Sequence, residues 1–384
     1  MLELFHKGFG FMNRIQHIQY PVGQGGLHLG IVGDVAYIYD CGSVYESRSI
    51  LYVQQVVNAL DNNDIKQLYI FISHLHSDHV CALPDLLHLL QKQNIITKIY
   101  LPYITPLEKL YLIASLNDVD SWLIEFIINP QSITKNMEKS DLIITYVSSE
   151  EQKKQEYNID KTPIKSCTKI IDTISKRIGN LNFMFVPFVY PNFGVPKNNI
   201  FIRTVQKLVR TTQCFITEQE LQQLVTAHIK ELREAYSLLS SDINYTSLCL
   251  YAGFTDNSIK AEIITYSYRC NYFECQTKSG WLHTGDYNLK CGKGTRYGAK
   301  FLNYYKKYFD CVGVVQIPHH GSAGNINSCF INKFNTQDIV FFMTGEICPF
   351  GKGQPKRTSM VLQQIKQPVF LVSELPCSRI NQHY

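Results

Sequence analysis

The sequence predicts an α/β (α+β) protein in which two sheet-forming halves enclose a helical middle. Three observations carry this expectation. Apolar runs of strand length alternate with helical periodicity through the first hundred residues. The middle of the chain changes to helical spacing and polar stretches, and strand patterns resume near residue 247.

Taken in order, residues 27–40 hold two apolar segments around Gly33-Asp34, a two-residue turn of the kind that closes a hairpin. Ile50, Val53, Val56, Val57 and Leu60 follow at helical spacing. Residues 67–73, QLYIFIS, form a continuous apolar run suited to a central strand. A helix then starts in LPDLLHLL, with Pro84 in its first turn, and KIYLP at 98–102 reads as the next strand.

Residues 105–130 read as two helices, and 132–165 as a polar loop with little apolar period. In LNFMFVPFVYP, Pro187 confines an apolar strand to an edge or a bulge. Thr217 with Glu220 three places on predicts a capped amphipathic helix to about residue 240, with His228 beside its apolar stripe. Strands are expected at 247–252, 262–267, 272–277 and 281–284, in CVGVVQIP, in DIVFFMTGE and in PVFLVSE, with a helix around 358–365. No short internal repeat is present.

Apolar content of 45% and charged content of 18% over 384 residues are globular values, enough for a substantial core. The 12 cysteines are scattered without a C-x-x-C pair, so reduced thiols are expected. The first 14 residues lack the apolar core of a leader, and no run approaches the roughly 20 apolar residues of a membrane span. A cytoplasmic protein without membrane association is therefore the expectation. A net charge of +5 is too small for a general nucleic-acid surface. The lysines and arginines nevertheless gather, at Lys290, Lys293, Arg296, Lys300, Lys306 and Lys307, and again at Lys352, Lys356 and Arg357. Such groups ordinarily form a solvated face.

Residues 71–80, FISHLHSDHV, place His74, His76, Asp78 and His79 directly behind the central strand. His74 and His76 alternate, so both project to one side of an extended segment, while Asp78 and His79 follow in the turn. Two imidazoles can hold one divalent ion, and a carboxylate with the last imidazole a second. Zn²⁺ suits this mixed nitrogen and oxygen set, and Mn²⁺ or Fe²⁺ can also use it.

This pattern resembles the signature of the metallo-β-lactamase fold superfamily. YDCGS at 39–43, HTGD ending at Asp286 and PHHGS at 318–322 are similar to further motifs of that family, in the same order. VGQGG at 22–26 and NYTSLCL from Asn244 resemble the hydrolase domain of the competence protein ComEC and its free-standing bacterial relatives. The likeness runs from about residue 19 to 374. It implies a metallo-β-lactamase αββα sandwich over 13–384, interrupted by a mostly helical insertion at 105–242 that offers a surface to a protein partner.

The resemblance also implies site roles. His74, His76, Asp78, His79, Asp286 and His320 would be metal ligands, with Asp286 bridging two ions and Asp40 orienting the ligands from behind. Asp78 and His319 would act in catalysis, and Ser322 with the amides of the Gly321 turn would bind phosphate oxygens. The activity implied is metal-dependent phosphodiester hydrolysis by a hydroxide shared between two ions, with DNA or RNA as substrate. A small nucleotide, an ester or a thioester, or a non-catalytic metal-binding subunit, are the alternatives.

Departures from the family pattern are specific. An additional histidine common between the cluster and Asp286 is missing, leaving Asn244, Ser247, His28 or water to replace it. Gly26 stands where relatives often carry Asp, and Gly353-Gln354-Pro355 where many carry a His-Pro pair. The first is expected to weaken metal occupancy and the second to alter substrate choice. A composition rich in Lys, Asn, Ile and Tyr points to an AT-rich bacterial genome.

Overall fold

The computed structural model describes residues 15–384 except 117–119, 135–141, 149–172, 179, 191–199, 211–215, 240–246, 267–270, 291–296, 323, 335–337 and 347–362. The positions Asn244, Lys293, Arg296, Lys352, Lys356, Arg357 and Gly353-Gln354-Pro355 lie outside the described residues, as does most of the helix expected at 358–365.

Among the described residues the strands form two sheets. The first runs in the order β11 (Tyr272–Lys278), β10 (Lys260–Tyr266), β16 (Ile380–His383), β1 (Ile15–Gln19), β2 (Gly25–Val32), β3 (Val35–Ser43), β4 (Gln67–Phe71), β5 (Ile96–Pro102) and β6 (Leu142–Val147). The second runs β15 (Val369–Val372), β14 (Val340–Thr344), β13 (Val312–Gln316), β12 (Gly280–His283), β9 (Cys249–Phe254), β8 (Leu181–Phe188) and β7 (Ile174–Ile178). From β3 to β6 the strands are parallel.

Side-chain alternation divides each strand between an inner and an outer layer. Ala36 and Ile38 of β3 face a helical layer made of α1 (Glu46–Asn62), α3 (Leu83–Leu90), α4 (Pro106–Ser115), α5 (Ser121–Ile128), α6 (Ile200–Val209) and α7 (Glu218–Ser237). Val35, Tyr37 and Tyr39 of the same strand face Phe183, Phe185 and Leu250 of the opposite sheet. Beyond the second sheet, Val315 and Phe341 pack on α8 (Tyr297–Tyr305) and α9 (Ser328–Phe334). The result is a four-layer αββα sandwich. No helix among the described residues is long and apolar enough to cross a membrane.

Most elements follow the local patterns. Val32 pairs with Val35 across the Gly33-Asp34 turn, and Gly33 takes φ +69 at its first central position. The Thr217 side chain and Glu220 form the expected capping box, although α7 is kinked at His228, where φ is −134. Pro187 lies beyond the residues of β8 that β7 covers, so its missing N–H falls where no neighbouring strand asks for it.

The segment 105–242 differs from a helical insertion. Its helices α4–α7 do pack outside the first sheet, but β6 completes that sheet's edge, and β7 and β8 extend the second. LIITYV, which makes β6, is a short apolar run inside a stretch read as polar loop. Pairing with β5 supplies the hydrogen bonds that its own sequence does not advertise.

Candidate metal centre

The site grows from the end of β4. Residues 72–76 leave the sheet in extended form, and the short helix α2 (Ser77–Val80) follows with His76 at its N-cap. Leu248 donates its amide to Ser73 O at 2.6 Å, and Tyr39 Oη donates to Leu248 O at 2.6 Å, so the two sheets are joined directly behind the cluster.

Asp40 is placed by a β-bulge. Leu27 faces Cys41 and His28 faces Tyr39, leaving Asp40 as the extra residue, with φ +59. Bulges re-aim a side chain, and aspartate tolerates the left-handed region better than most residues. The buried carboxylate accepts the Ser73 amide on Oδ1 at 2.6 Å, and the Ser73 hydroxyl (2.9 Å) and His79 Nδ1 (2.8 Å) on Oδ2. Because the Ser73 proton goes to Asp40, its oxygen is left to accept from His74 Nδ1 at 2.9 Å. One carboxylate thereby turns the Nε2 lone pairs of both His74 and His79 into the site.

Close packing of glycine holds this shell. A Cβ on Gly42 would meet the Asp78 backbone at 2.7 Å, so α2 seats directly on β3 only because Gly42 has no side chain. Gly26, where an aspartate was the family expectation, lies against Asp40: a Cβ there would stand 2.8 Å from the Asp40 Cβ. A side chain at this position would displace the carboxylate that aligns the ligands.

The other arm comes from the second sheet. Asp286 follows β12; its amide donates to Ser247 Oγ at 3.0 Å and its carbonyl accepts from Asn325 Nδ2 at 3.1 Å. Gln316 Oε1 accepts the amides of Thr284 and Gly285, which ties this loop to the end of β13. His319, His320 and Gly321 then take φ of +48, +51 and +81, a run of left-handed residues that throws both imidazoles towards Asp286. Sparsely populated backbone of this kind persists only where surrounding contacts hold it.

Six side chains converge. His74 Nε2 is 3.7 Å from Asp286 Oδ2, and His79 Nε2 is 3.7 Å from both Asp286 Oδ1 and Asp78 Oδ2. His320 Nε2 stands 3.6 Å from Asp78 Oδ2 and 3.9 Å from Asp286 Oδ1, and His319 Nε2 is 3.8 Å from Asp286 Oδ2. These gaps are too long for hydrogen bonds. They are slightly wider than the roughly 3.3 Å that separates neighbouring ligands around an ion bound at about 2.0–2.1 Å. His74, His79 and Asp286 form one group with ligand atoms within 4.8 Å of one another, and Asp78, His79 and His320 a second. His76 packs edge-on against His74, ring centroids 4.7 Å apart, but is in neither group.

A divalent cation fits these residues. The Nε2 atoms of His74 and His79 are buried with no hydrogen-bond partner, which is costly unless something positive meets them. The electrostatics agree. Burial works to raise the Asp286 carboxyl, yet His74, His79, His320 and His319 hold it at about 2. Asp78 is likewise held well below the carboxylate range, against burial, by His79 and His320. Burial works to lower His79, but Asp78, Asp40 and Asp286 push it up to about 10. Burial and the neighbouring His79 keep His74 neutral. Three carboxylates therefore create a field that demands positive charge at His79 Nε2, and a metal ion meets that demand by replacing a proton.

Other expectations are placed as follows. Ser247 touches His74 at Nδ1, 3.4 Å away, behind the ring rather than on its Nε2 side. His28 is buried against Tyr37, Trp281 and His283, away from both groups. The Gly321 and Ser322 amides donate within their own turn, to Pro318 O and His319 O, so they do not face outward as phosphate donors; the Ser322 hydroxyl accepts from the Gly324 amide and keeps its own proton to give. Lys306 and Lys307 belong to the 3-10 turn Lys306–Cys311 that enters β13 at the end remote from His319. Of the described basic residues after Asp286, Lys290 and Lys300 remain beside it.

Four supporting residues were not anticipated: Ser73, Gln316, Asn325, and Thr344, whose Oγ1 lies 3.1 Å from His320 Nδ1. Ser73 and Thr344 do carry a signal, as lone hydroxyl residues at the ends of apolar strands.

Residues 29–139 match the family model described as the metallo-beta-lactamase superfamily. No curated protein is similar enough to match. Similar solved structures include the metallo-beta-lactamase fold protein YhfI from Bacillus subtilis, 10% identical over 93% of this chain and 96% of that one, TM-score 0.37. Unliganded yeast PDE1 is 8% identical over 96% of this chain and 99% of that one, TM-score 0.41. Both likenesses are too loose to bear on activity. The match over residues 29–139, the layered architecture and the converging histidines and aspartates together show that the chain is built on the αββα fold of the metallo-β-lactamase superfamily.

Proposed function

We propose that this protein is a metal-dependent phosphodiesterase, a nuclease acting on DNA or RNA. The observation that carries the reading is the convergence of Asp78, His79, His320, His74 and Asp286 around buried imidazole nitrogens that lack a hydrogen-bond partner. Bound divalent ions, Zn²⁺ or Mn²⁺, would polarise phosphoryl oxygens and make water nucleophilic near neutral pH.

The chain's own groups supply the remainder. Asp78, with a side chain 17% exposed, stands at the open side of the cluster, where its carboxylate orients the attacking water. His319, 24% exposed and outside both ligand groups, is placed to hand a proton to the departing alcohol. The Ser322 hydroxyl donates to a phosphoryl oxygen. Substrate charge is met by Lys290, on the segment leaving Asp286, and by Lys300 of α8, whose Nζ lies 5.0 Å from the centre of the Tyr190 ring. A basic and aromatic flank of this kind suits a nucleic-acid strand.

The test is incubation of the pure protein with Mn²⁺ or Zn²⁺ and single- and double-stranded DNA and RNA. Metal-dependent cleavage, reduced at least about 100-fold in Asp286→Asn, is expected. Cleavage no faster than in that variant removes the nuclease reading. Preferential turnover of a chromogenic lactam over a bis-aryl phosphodiester would instead assign the site to another hydrolase class.

A further inference from the structure

The cluster does not offer two equivalent ion positions. Asp78, His79 and His320 approach one another closely, and Asp286 Oδ1 lies 3.7 Å from His79 and 3.9 Å from His320. That side therefore gathers two carboxylates and two imidazoles. It is also the better braced: Asp40 holds His79 from behind at 2.8 Å, and Thr344 lies 3.1 Å from the rear nitrogen of His320.

The His74 side is poorer. Its remaining ligand-type residues are His76 and the second oxygen of Asp286, and His76 stands apart from both close groups. Ser247, the neighbour best placed in the sequence to add a ligand, is engaged by the Asp286 amide and sits against Nδ1, the wrong edge of the His74 ring.

We propose that the protein loads its metals unequally: one divalent ion is held tightly by Asp78, His79, His320 and Asp286, and a second is held weakly and exchangeably by His74, His76 and Asp286. The deficit on the weak side leaves room in its coordination shell for water or a substrate oxygen. Loss of an outer-shell partner alone weakens metal binding about 10–100-fold, so a missing ligand and a stand-off histidine should separate the two affinities by at least about 100-fold. The inference rests on the cluster being a metal centre, as the proposed function does, and is independent of the substrate.

The experiment is titration of the chelator-stripped full-length protein with Mn²⁺ and with Zn²⁺, by calorimetry and by competition against a fluorescent chelator, with circular dichroism confirming that each variant is folded. Wild type should bind one ion tightly and a second at least about 100-fold more weakly. His76→Ala should lose the weak phase and keep the tight one, whereas His320→Ala, with Asp78→Asn as a second lesion of the same position, should lose the tight phase. Two ions of equal affinity, or loss of the tight phase in His76→Ala, overturns unequal loading and leaves the hydrolase reading intact. Folded protein that binds no ion overturns both.

Discussion

Ser73 acts on two ligands at once. Its hydroxyl donates to Asp40 and accepts from His74, while Asp40 holds His79, so a single side chain between them aligns imidazoles that belong to different ligand groups. Ser73→Ala removes the His74 link and leaves the backbone contact to Asp40. Metal affinity, read by chelator competition, should fall about 10–100-fold without loss of fold. Unchanged affinity would show that packing alone orients His74. None of this could be read from FISHLHSDHV, where Ser73 is an unremarked neighbour of the histidines; its role exists only because the bulge in β3 brings Asp40 to it.

A second group of residues works in the opposite sense. His17, His28 and His283 are fully buried between the sheets, among Tyr37, Tyr39, Trp281 and Tyr384, with His383 the further titratable group acting on His17. Burial lowers all three imidazoles, His17 to about 3, with neighbouring histidines adding to the effect. The folded state therefore refuses protons that the unfolded chain accepts below its ordinary histidine value near 6.5. Stability is present above that value and is lost as pH falls from about 6.5 towards 3, by up to about 1.4 kcal/mol per pH unit for each histidine. Neither ring nitrogen of His283 has a hydrogen-bond partner, so His283→Phe sacrifices no bond. In urea denaturation at pH 7.5 and 5.5, that variant should lose about 1.4 kcal/mol less than wild type across the interval. An identical loss in both proteins would mean that His283 is not the neutral, buried base described.

At the scale of elements, termini matter more than interiors. Helix α7 begins with a reciprocal cap between Thr217 and Glu220, and its first turn carries Glu218, which accepts from the buried Lys109 Nζ at 2.9 Å. The same ammonium donates to Ile128 O, so α4, α5 and α7 meet at one charge. Thr217→Ala should cost about 1 kcal/mol, seen as a lower denaturation midpoint with the metal centre unaffected. A change in metal stoichiometry in that variant would reveal coupling between this layer and the site. The capping box was visible in the sequence because its partners are three residues apart. The matching box at Thr105 and Glu108 was equally local and went unread, whereas β6 was hidden because LIITYV becomes a strand by pairing with β5.

For the whole molecule, the sandwich brings together ligands that lie more than 240 residues apart along the chain. Strand runs, the hairpin, the capped helix and the identity of most ligand-type residues were available from local patterns, since each depends on side chains spaced within a few positions of one another. Two kinds of fact required the folded chain. One is the construction of the second arm: the left-handed run at 319–321, the bulge at Asp40 and the contact of Gly26 with Asp40 are set by packing between sheets, and no short window contains both partners. The other is the inequality among the histidines. His74, His76 and His79 are alike as letters in one motif, but only the tertiary field of Asp40, Asp78 and Asp286 singles out His79, and only the position of Ser247 behind His74 leaves that side of the centre short of a ligand.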